Sequence, residues 1–251
     1  RDLVRSRGLG DVYKRQVPVS YVNMIKADNT IDDNYMARVK QVVDYAYDMG
    51  MYVIINIHND GAPTVVGNWI DISKTGAEFD AVKTKFAAVW TDIANNFTSY
   101  DQKLVFESMN EVMIKDKYVI SDAELADVYP NINALNQAFV NAVRATGSNN
   151  TDRVLVIPGY NTNIDYTTTA KGFVKPTDST SNRLMLSVHY YSPDDFTMGW
   201  QTQWPTGDEN TSNYNSSAYM EAQIKKAAAT GTDLGMPVFL GEYGPENQSN
   251  N

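Results

Sequence analysis

Residues 51–58 read MYVIINIH, a nearly continuous apolar run that ends in a histidine. Runs of this kind are typical of strands that are covered on both faces, as in a parallel sheet packed beneath helices. An amphipathic helical pattern precedes the run, beginning at a capping Asp32 or Asp33 and continuing to Ala46. This succession of helix and strand predicts an α/β fold.

The same alternation continues on both sides of this strand. Further strands are predicted at 17–22, 103–111, 153–159, 183–191 and 236–242, and further helices at 78–97, 131–146 and about 217–230. No internal repeat, low-complexity tract or Pro/Gly-rich linker interrupts the series. The pattern therefore predicts one domain.

Two architectures fit parallel strands joined by helices, an open doubly wound sheet and a (β/α)8 barrel. No GxGxxG or Walker A sequence is present, which argues against a nucleotide-binding doubly wound sheet. Polar residues stand at the carboxyl end of strand after strand, namely His58, Asn110, Glu111, Tyr160, His189, Tyr191 and Glu242. Barrel enzymes build their sites from strand ends at one face, so the barrel is favoured.

A complete barrel needs eight strands, and the sequence offers six. We therefore expect an incomplete (β/α)8 TIM barrel, a fragment that lacks a first strand before Val17 and a last strand after residue 251. Residues 1–16 carry five basic and two acidic residues, unlike the acidic remainder, and resemble translated adapter sequence. The predicted organisation is a non-native arm at 1–16 and a partial catalytic domain at 17–251.

Composition excludes several classes of function. The net charge is −9, so binding to the phosphates of nucleic acid is disfavoured. The chain has no cysteine, which excludes disulfides and thiolate chemistry. No apolar run reaches the length that a membrane-spanning helix needs. We therefore expect neither a nucleic-acid nor a membrane partner.

Glu111 and Glu242 are carboxylates at predicted strand ends. Hydrolysis of a glycosidic bond uses such a pair, because one carboxylic acid protonates the leaving oxygen while the other attacks the anomeric carbon or activates water. Either glutamate can instead form an ion pair at a strand end. Glu107 shares a face with Glu111 but lies deeper in the strand, so we expect it to have a structural role inside the barrel.

The chain has two histidines, His58 and His189, and each ends an apolar strand. One histidine in such a place is often a satisfied core or rim residue, but two at equivalent positions favour a shared site. A metal centre formed by His58, Asp60, His189 and Glu242 is an alternative, although no HxH or HxxxH spacing supports it. GxSxG is absent, which argues against a serine nucleophile elbow.

The strand segments VPVSY, DYAYDMGMYVIINIH, KLVFESMNE, RVLVIPGY, SVHYYSP and PVFLGEYG form an ordered set between Val17 and about Gly244. Together they resemble glycoside hydrolase family 5, a family of retaining (β/α)8 enzymes of the cellulase type. The resemblance implies that Glu111 is the general acid/base and Glu242 the nucleophile. It also implies internal cleavage of β-1,4-linked glucans such as cellulose derivatives, mixed-linkage glucan or xyloglucan.

The same resemblance implies roles for the residues around the glutamates. Asn110 would hydrogen-bond the 2-hydroxyl of the sugar under attack, and His58 would line the subsite that holds this sugar. His189 and Tyr191 would orient the two glutamates. Asn59 stands where many members of the family have a second histidine, and we include it among the substrate-binding candidates.

Trp69, Trp200 and Trp204 lie in loops after predicted strands, where indole rings either stack on sugars or anchor the loop. Gln16 stands where the family commonly carries an arginine, and the aromatic residue usual on the last strand has no counterpart. These departures leave a second interpretation open, a β-glucan-binding or inactive fragment. We expect a monomer without cofactor or metal that acts outside the cell, because polysaccharide chains do not enter cells.

Overall fold

The computed structural model describes residues 14–115 and 117–245. Within these residues the strands are β1 Lys14–Val19, β2 Tyr52–Ile57, β3 Leu104–Glu107, β4 Leu155–Asn163, β5 Leu184–Tyr190 and β6 Val238–Tyr243. The α-helices are α1 Asp33–Tyr47, α2 Gly76–Asn96, α3 Asp122–Ala145, α4 Asp194–Thr197 and α5 Ser217–Leu234. None of these helices combines the length and the apolar character that crossing a membrane requires.

The six strands form one parallel sheet in which spatial order follows chain order from β1 to β6. A helix connects most neighbouring strands, whereas β4 reaches β5 through a loop with a 3₁₀ turn at Thr169–Lys171. Twisted parallel strands that are added in sequence, with helices on one side, curl in one direction. The sheet is therefore part of a barrel, and the predicted incomplete (β/α)8 fold is confirmed.

β1 begins earlier than predicted. The sequence pattern places this strand at 17–22, but Lys14–Val19 pairs in register with Tyr52–Ile57, and the chain turns after Val19. The last three residues of the predicted arm thus lie in the sheet, because backbone pairing with β2 does not depend on their polar side chains. The rest of the arm, residues 1–13, lies outside the described part of the chain.

β3 is shorter than predicted, and α3 is longer. β3 ends at Glu107, so Asn110 and Glu111 follow in a loop rather than in the strand. α3 begins at a capping box between Ser121 and Glu124, nine residues before the predicted start at 131. Pro130 lies inside the helix, where proline usually interrupts the backbone hydrogen bonds.

α5 passes through Gly231, where the sequence predicts its end, and is capped by Gly235 in the left-handed conformation with φ of 59°. Gly231 serves close packing instead. A Cβ at this position would lie 2.5 Å from Cγ2 of Val238 and 2.7 Å from the carbonyl oxygen of Met236. A glycine in a helical pattern can mark either the end of the helix or a close contact within it. Gly231 is of the second kind, because the helix continues past it and its backbone packs against Val238.

The main hydrophobic core lies between the sheet and its helices. Trp90 of α2 is fully buried, with ring centroids 5.6 Å from Phe106 of β3 and 4.4 Å from Phe139 of α3. Its indole N–H donates to the carbonyl oxygen of Ser108 at 2.9 Å. This cluster fixes two helices against the strand that leads to Glu111.

The opposite face of the curved sheet carries two layers of side chains below the strand ends. The lower layer is apolar and consists of Ile54, Val105, Val156 and Phe239. The layer above it is polar and consists of Glu107, Gln16, Asn56 and Ser187. Glu107 is fully buried, which confirms its predicted structural position. His58 and His189 follow two residues after Asn56 and Ser187, so this polar layer supports the rim of the sheet.

Arg153, just before β4, is fully buried at the amino end of the sheet. Its guanidinium donates to Asn150 Oδ1 at 2.6 Å and to the carbonyl oxygens of Phe97, Tyr100, Asp101 and Leu104 at 2.6–3.0 Å. Burial lowers the pKa of Arg153 to about 10, so the group remains charged at neutral pH. These bonds join the connection between α2 and β3 to the start of β4.

We expect Arg153→Lys to lower the free energy of unfolding by roughly 2–4 kcal/mol, because an ammonium group has fewer donors and leaves buried carbonyl groups unpaired. Urea unfolding followed by circular dichroism measures the change. Lys225→Ala removes an exposed cation from α5 and serves as the control, with no expected shift of the midpoint. An unchanged midpoint for Arg153→Lys would contradict this account.

Candidate active site

The two predicted glutamates meet at the carboxyl end of the sheet, on either side of His189. His189 Nδ1 lies 2.7 Å from Glu111 Oε1 and 3.7 Å from Glu242 Oε2. A carboxylate oxygen of each glutamate and a ring nitrogen of His189 all lie within 4.8 Å of one another. Tyr191 donates its hydroxyl hydrogen to Glu242 Oε2 at 3.0 Å. The structure thus brings these four predicted site residues together.

A left-handed backbone conformation directs Glu111 into the site. Its φ is 42°, in a region that residues with a Cβ seldom adopt and that is often found at functional positions. The N–H of the preceding Asn110 donates to the carbonyl oxygen of Ile57 at 3.0 Å, which ties the loop to the end of β2. The Glu111 side chain is 39% exposed and that of Glu242 is 25% exposed, so both can reach a ligand.

An irregularity in β4 supplies a contact that the sequence does not signal. The pairing register with β5 shifts between Pro158 and Asn163, where Asn161 and Thr162 have φ values of 50° and 49°. The Thr162 hydroxyl lies 3.2 Å from His189 Nδ1. Bulges re-aim side chains near active sites, and no pattern of residue types marks this one in the sequence.

His189 is 7% exposed and lies among carboxylates. Burial lowers the pKa of its imidazole, but the hydrogen bond with Glu111 and the negative charges of Glu242, Glu111 and Glu107 outweigh burial and raise it above the usual value. Among the described residues, Nε2 has no hydrogen-bond partner. A Cβ at Gly241 would lie 3.0 Å from this atom. Nδ1 is therefore the nitrogen that connects the ring to the glutamates.

Tyr191 holds a proton beside Glu242. Burial, followed by the negative charge of Glu242, raises the pKa of Tyr191 to about 12. The phenol is therefore neutral at physiological pH and donates its hydrogen bond. A donor at this distance favours the ionised form of a carboxylate.

His58 directly follows β2 and Asn110 lies in the loop after β3, at the same end of the sheet as the glutamates. Burial lowers the pKa of His58 and outweighs the negative charges of Glu242 and Glu111, which raise it. The ring is therefore neutral at pH 7. Asn110 is 6% exposed, and its side-chain oxygen has no hydrogen-bond partner within the described residues. A buried polar atom without a partner in the protein is available to a ligand hydroxyl.

A cleft of about 600 Å³ opens beside the glutamates. Its lining includes Glu111, His189, Tyr191 and Glu242, and its walls carry the phenol rings of Tyr118, Tyr166, Tyr190, Tyr214 and Tyr219. Such rings combine a flat apolar face with a hydroxyl group, which suits sugar rings. These five tyrosines were not predicted from the sequence, because the chain has 16 tyrosines and nothing in the pattern distinguishes the ones that face the cleft.

Six predicted site residues are not among the described residues that line this cleft, namely His58, Asn59, Trp69, Asn110, Trp200 and Trp204. The Trp69 indole N–H donates to Asp60 Oδ1 at 2.7 Å. Trp204 stacks on the ring of Phe196 with centroids 6.1 Å apart, and Trp200 is 77% exposed. Trp69 and Trp204 thus anchor their loops. A contact of any of the six residues with a sugar stays a prediction.

Asp60, which the alternative metal centre includes, is engaged by the protein itself. Besides Trp69, its carboxylate accepts from the Tyr21 N–H at 2.9 Å and from the Ser20 hydroxyl at 3.3 Å. Burial raises the pKa of Asp60, and these hydrogen bonds, which lower it, do not fully compensate. In the described part of the chain, the group of side chains with the spacing to hold a metal ion is the one around His189.

Comparisons with known proteins agree with the resemblance found in the sequence. The model of the cellulase family, glycosyl hydrolase family 5, matches residues 16–251. Endoglucanase A of Paenibacillus barcinonensis is 40% identical over 250 residues, covering 93% of this chain and 61% of that protein. The xyloglucan-specific endo-β-1,4-glucanase of Bacteroides ovatus is 34% identical, covering 92% of this chain and 45% of that protein. The chain thus spans less than two thirds of the length of these two relatives.

Solved structures give the same result. A family 5 xyloglucanase from Paenibacillus pabuli, in complex with a ligand, has a TM-score of 0.86 and 40% identity, covering 99% of this chain and 72% of that one. A broad-specificity endoglucanase from Bacteroides salanitronis has a TM-score of 0.85 and 38% identity, covering 94% and 64%. Sequence and fold agree over nearly the whole chain, which therefore belongs to glycosyl hydrolase family 5.

Proposed function

We propose that the protein is an endo-acting glycoside hydrolase that cleaves β-1,4-glucosidic bonds with retention of configuration, using Glu111 and Glu242. The separation of the two carboxylates carries the proposal, since an oxygen of one lies within 4.8 Å of an oxygen of the other. Retaining glycosidases hold their carboxyl groups about 5–5.5 Å apart, whereas inverting enzymes leave about 6.5–9.5 Å for a water molecule.

The first step forms a covalent intermediate. Glu242 attacks the anomeric carbon as a carboxylate, and the bond from this carbon to the glycosidic oxygen breaks. Glu111 gives its proton to the leaving oxygen. In the second step, the ionised Glu111 takes a proton from water, and the water oxygen displaces Glu242 from the anomeric carbon. Two inversions at one carbon give net retention, and both glutamates return to their initial states.

The neighbouring side chains hydrogen-bond the two glutamates and position them. The hydrogen bond from Tyr191 favours the carboxylate that a nucleophile needs at Glu242. The contact of His189 with Glu111 holds the acid/base in position beside it. Asn110 has a side-chain oxygen without a partner among the described residues, and we assign it to the 2-hydroxyl of the bound sugar. We assign His58 to the same subsite on the family resemblance.

The substrate that fits these features is a neutral β-glucan chain. The cleft is lined with tyrosines, and the relatives are endoglucanases and a xyloglucan-specific enzyme by name. Xyloglucan, mixed-linkage glucan and cellulose derivatives are therefore the substrates to test. Such polymers occur outside the cell, and we therefore propose that the protein acts there. Glucan binding without turnover is the competing function, because Gln16 stands where the family commonly has an arginine and here donates to Glu107 at 3.1 Å.

Glu242→Gln should lower kcat by at least about a thousandfold, because an amide does not form the glycosyl-enzyme bond. Release of reducing ends from soluble β-glucans measures the loss, and NMR of the first wild-type product should show the β-anomer. Glu221→Gln, on the exposed surface of α5, is the matched control and should retain wild-type activity. Wild-type turnover by Glu242→Gln would refute the assignment. Binding without turnover by the wild type would favour the competing function.

Tyr191→Phe should lower kcat for a soluble β-glucan by about tenfold, because Glu242 loses the hydrogen bond that orients its carboxylate. The reducing-end assay measures the change. Tyr45→Phe removes an exposed hydroxyl from α1 and should retain the wild-type kcat. A wild-type kcat in Tyr191→Phe would contradict the role of Tyr191.

Removal of metal ions should leave activity unchanged, because the proposed steps use only two carboxylates and water. Dialysis against EDTA, followed by the reducing-end assay with and without added Mg²⁺, Ca²⁺ or Zn²⁺, measures the effect. A loss that one of these ions restores would instead indicate that Glu111, His189 and Glu242 hold a metal ion.

A further inference from the structure

The polar layer inside the barrel lies directly beneath the candidate active site. Glu107 receives hydrogen bonds from Ser187 Oγ at 2.6 Å, from Asn56 Nδ2 at 3.0 Å and from Gln16 Nε2 at 3.1 Å. Asn56 is fully buried, and His58 follows it by two residues on the same face of β2 and its extension. A buried carboxylate is thus linked to a rim histidine through one amide side chain.

The Glu107 carboxyl group fixes which way the Asn56 amide points. Oε2 of Glu107 accepts hydrogen bonds from the amide nitrogens of both Asn56 and Gln16. Burial raises the pKa of Glu107, while the bond from Ser187, the charge of His189 and the bond from Asn56 oppose this. If Glu107 takes up a proton at Oε1, Oε2 remains an acceptor. With Glu107 ionised, or protonated at the Oε1 that faces the Ser187 hydroxyl, turning the oxygen of Asn56 towards Oε2 would set two acceptors against each other.

The second N–H of the same amide group is available to His58. Asn56 Nδ2 lies 3.3 Å from His58 Nδ1. A ring nitrogen that accepts a hydrogen bond carries no proton, and a neutral imidazole has one proton in all. Burial lowers the pKa of His58, and the neighbouring His189 also lowers it. The negative charges of Glu242, Glu111 and Asp60 raise this pKa but do not outweigh burial, so the ring is neutral at pH 7. The single ring proton is then confined to Nε2.

We propose that Glu107 and Asn56 are positioning residues that set the tautomer of His58, so that this ring offers a ligand an N–H donor at Nε2 rather than an acceptor. The assignment of the donor to a sugar oxygen rests on the proposed glycosidase function. The tautomer itself does not, since it follows from contacts within the protein. Neither residue touches the reacting atoms, and both act through the orientation of one hydrogen-bonding group.

The ring nitrogens of His58 give a direct test, because the 251 residues of the chain include only two histidines. Long-range ¹H–¹⁵N NMR of the ¹⁵N-labelled protein distinguishes protonated from unprotonated ring nitrogens, and His58→Gln identifies which signals belong to His58. In the wild type we expect the proton of His58 on Nε2. In Asn56→Asp, an oxygen replaces the donor, so we expect Nδ1 of His58 to become protonated. Asn136→Asp alters another buried amide, one that bonds Ser108 and Pro158, and should leave the His58 signals unchanged.

A second readout is kinetic. Asn56→Asp should reduce kcat/KM for a soluble β-glucan by about tenfold, the effect of one lost hydrogen bond to substrate. The NMR result separates this inference from the glycosidase proposal, since Glu242→Gln should remove turnover and keep the His58 tautomer. A wild-type His58 with its proton on Nδ1 would overturn the inference, and this measurement needs no variant to fold. An Asn56→Asp protein that folds and keeps Nδ1 unprotonated would overturn it equally.

Discussion

The site depends on the parallel pairing of the strands in chain order. Because each strand runs in the same direction as its neighbours, all six carboxyl ends reach one edge of the sheet. Residues that are far apart in the chain, such as Glu111 and Glu242, then lie on either side of His189. The connections must return along the outside, where they bury Trp90 and its neighbours, and Arg153 fastens them at the opposite edge. Both the position of the core and the position of the candidate site follow from that one geometric constraint.

The parts of the site that belong to strands were predictable from the sequence, since a buried strand followed by a polar residue specifies where that residue emerges. His58, His189 and Glu242 were found in this way. Thr162 was not, because its position results from a bulge in which two residues adopt left-handed backbone angles. The tyrosines of the cleft come from three loops, the end of β5 and the first turn of α5, and residue type alone does not show which of the chain's tyrosines face the cleft.

The predicted ends of helices and strands were wrong where one residue type can serve two physical purposes. Gly231 fits a helix end, but it lies within α5 to let Val238 approach. Pro130 usually starts or breaks a helix, but α3 contains it, because the capping box at Ser121 and the burial of Leu125 and Tyr129 stabilise the turns before it. β1 starts among polar residues, since pairing with β2 supplies its hydrogen bonds. In each case a tertiary contact outweighs the local conformational preference of the residue. Such contacts cannot be predicted from the pattern of a single sequence.

Gly241 shows how a position without a side chain can limit the variation that an enzyme tolerates. Even the methyl group of an alanine would stand 3.0 Å from His189 Nε2, so the buried ring would have to shift by a few tenths of an ångström. The ring would then move relative to both carboxylates that it contacts through its other nitrogen. A side chain at position 241 would thus change the arrangement of the two carboxylates without touching either of them, although glycine takes no part in the chemistry.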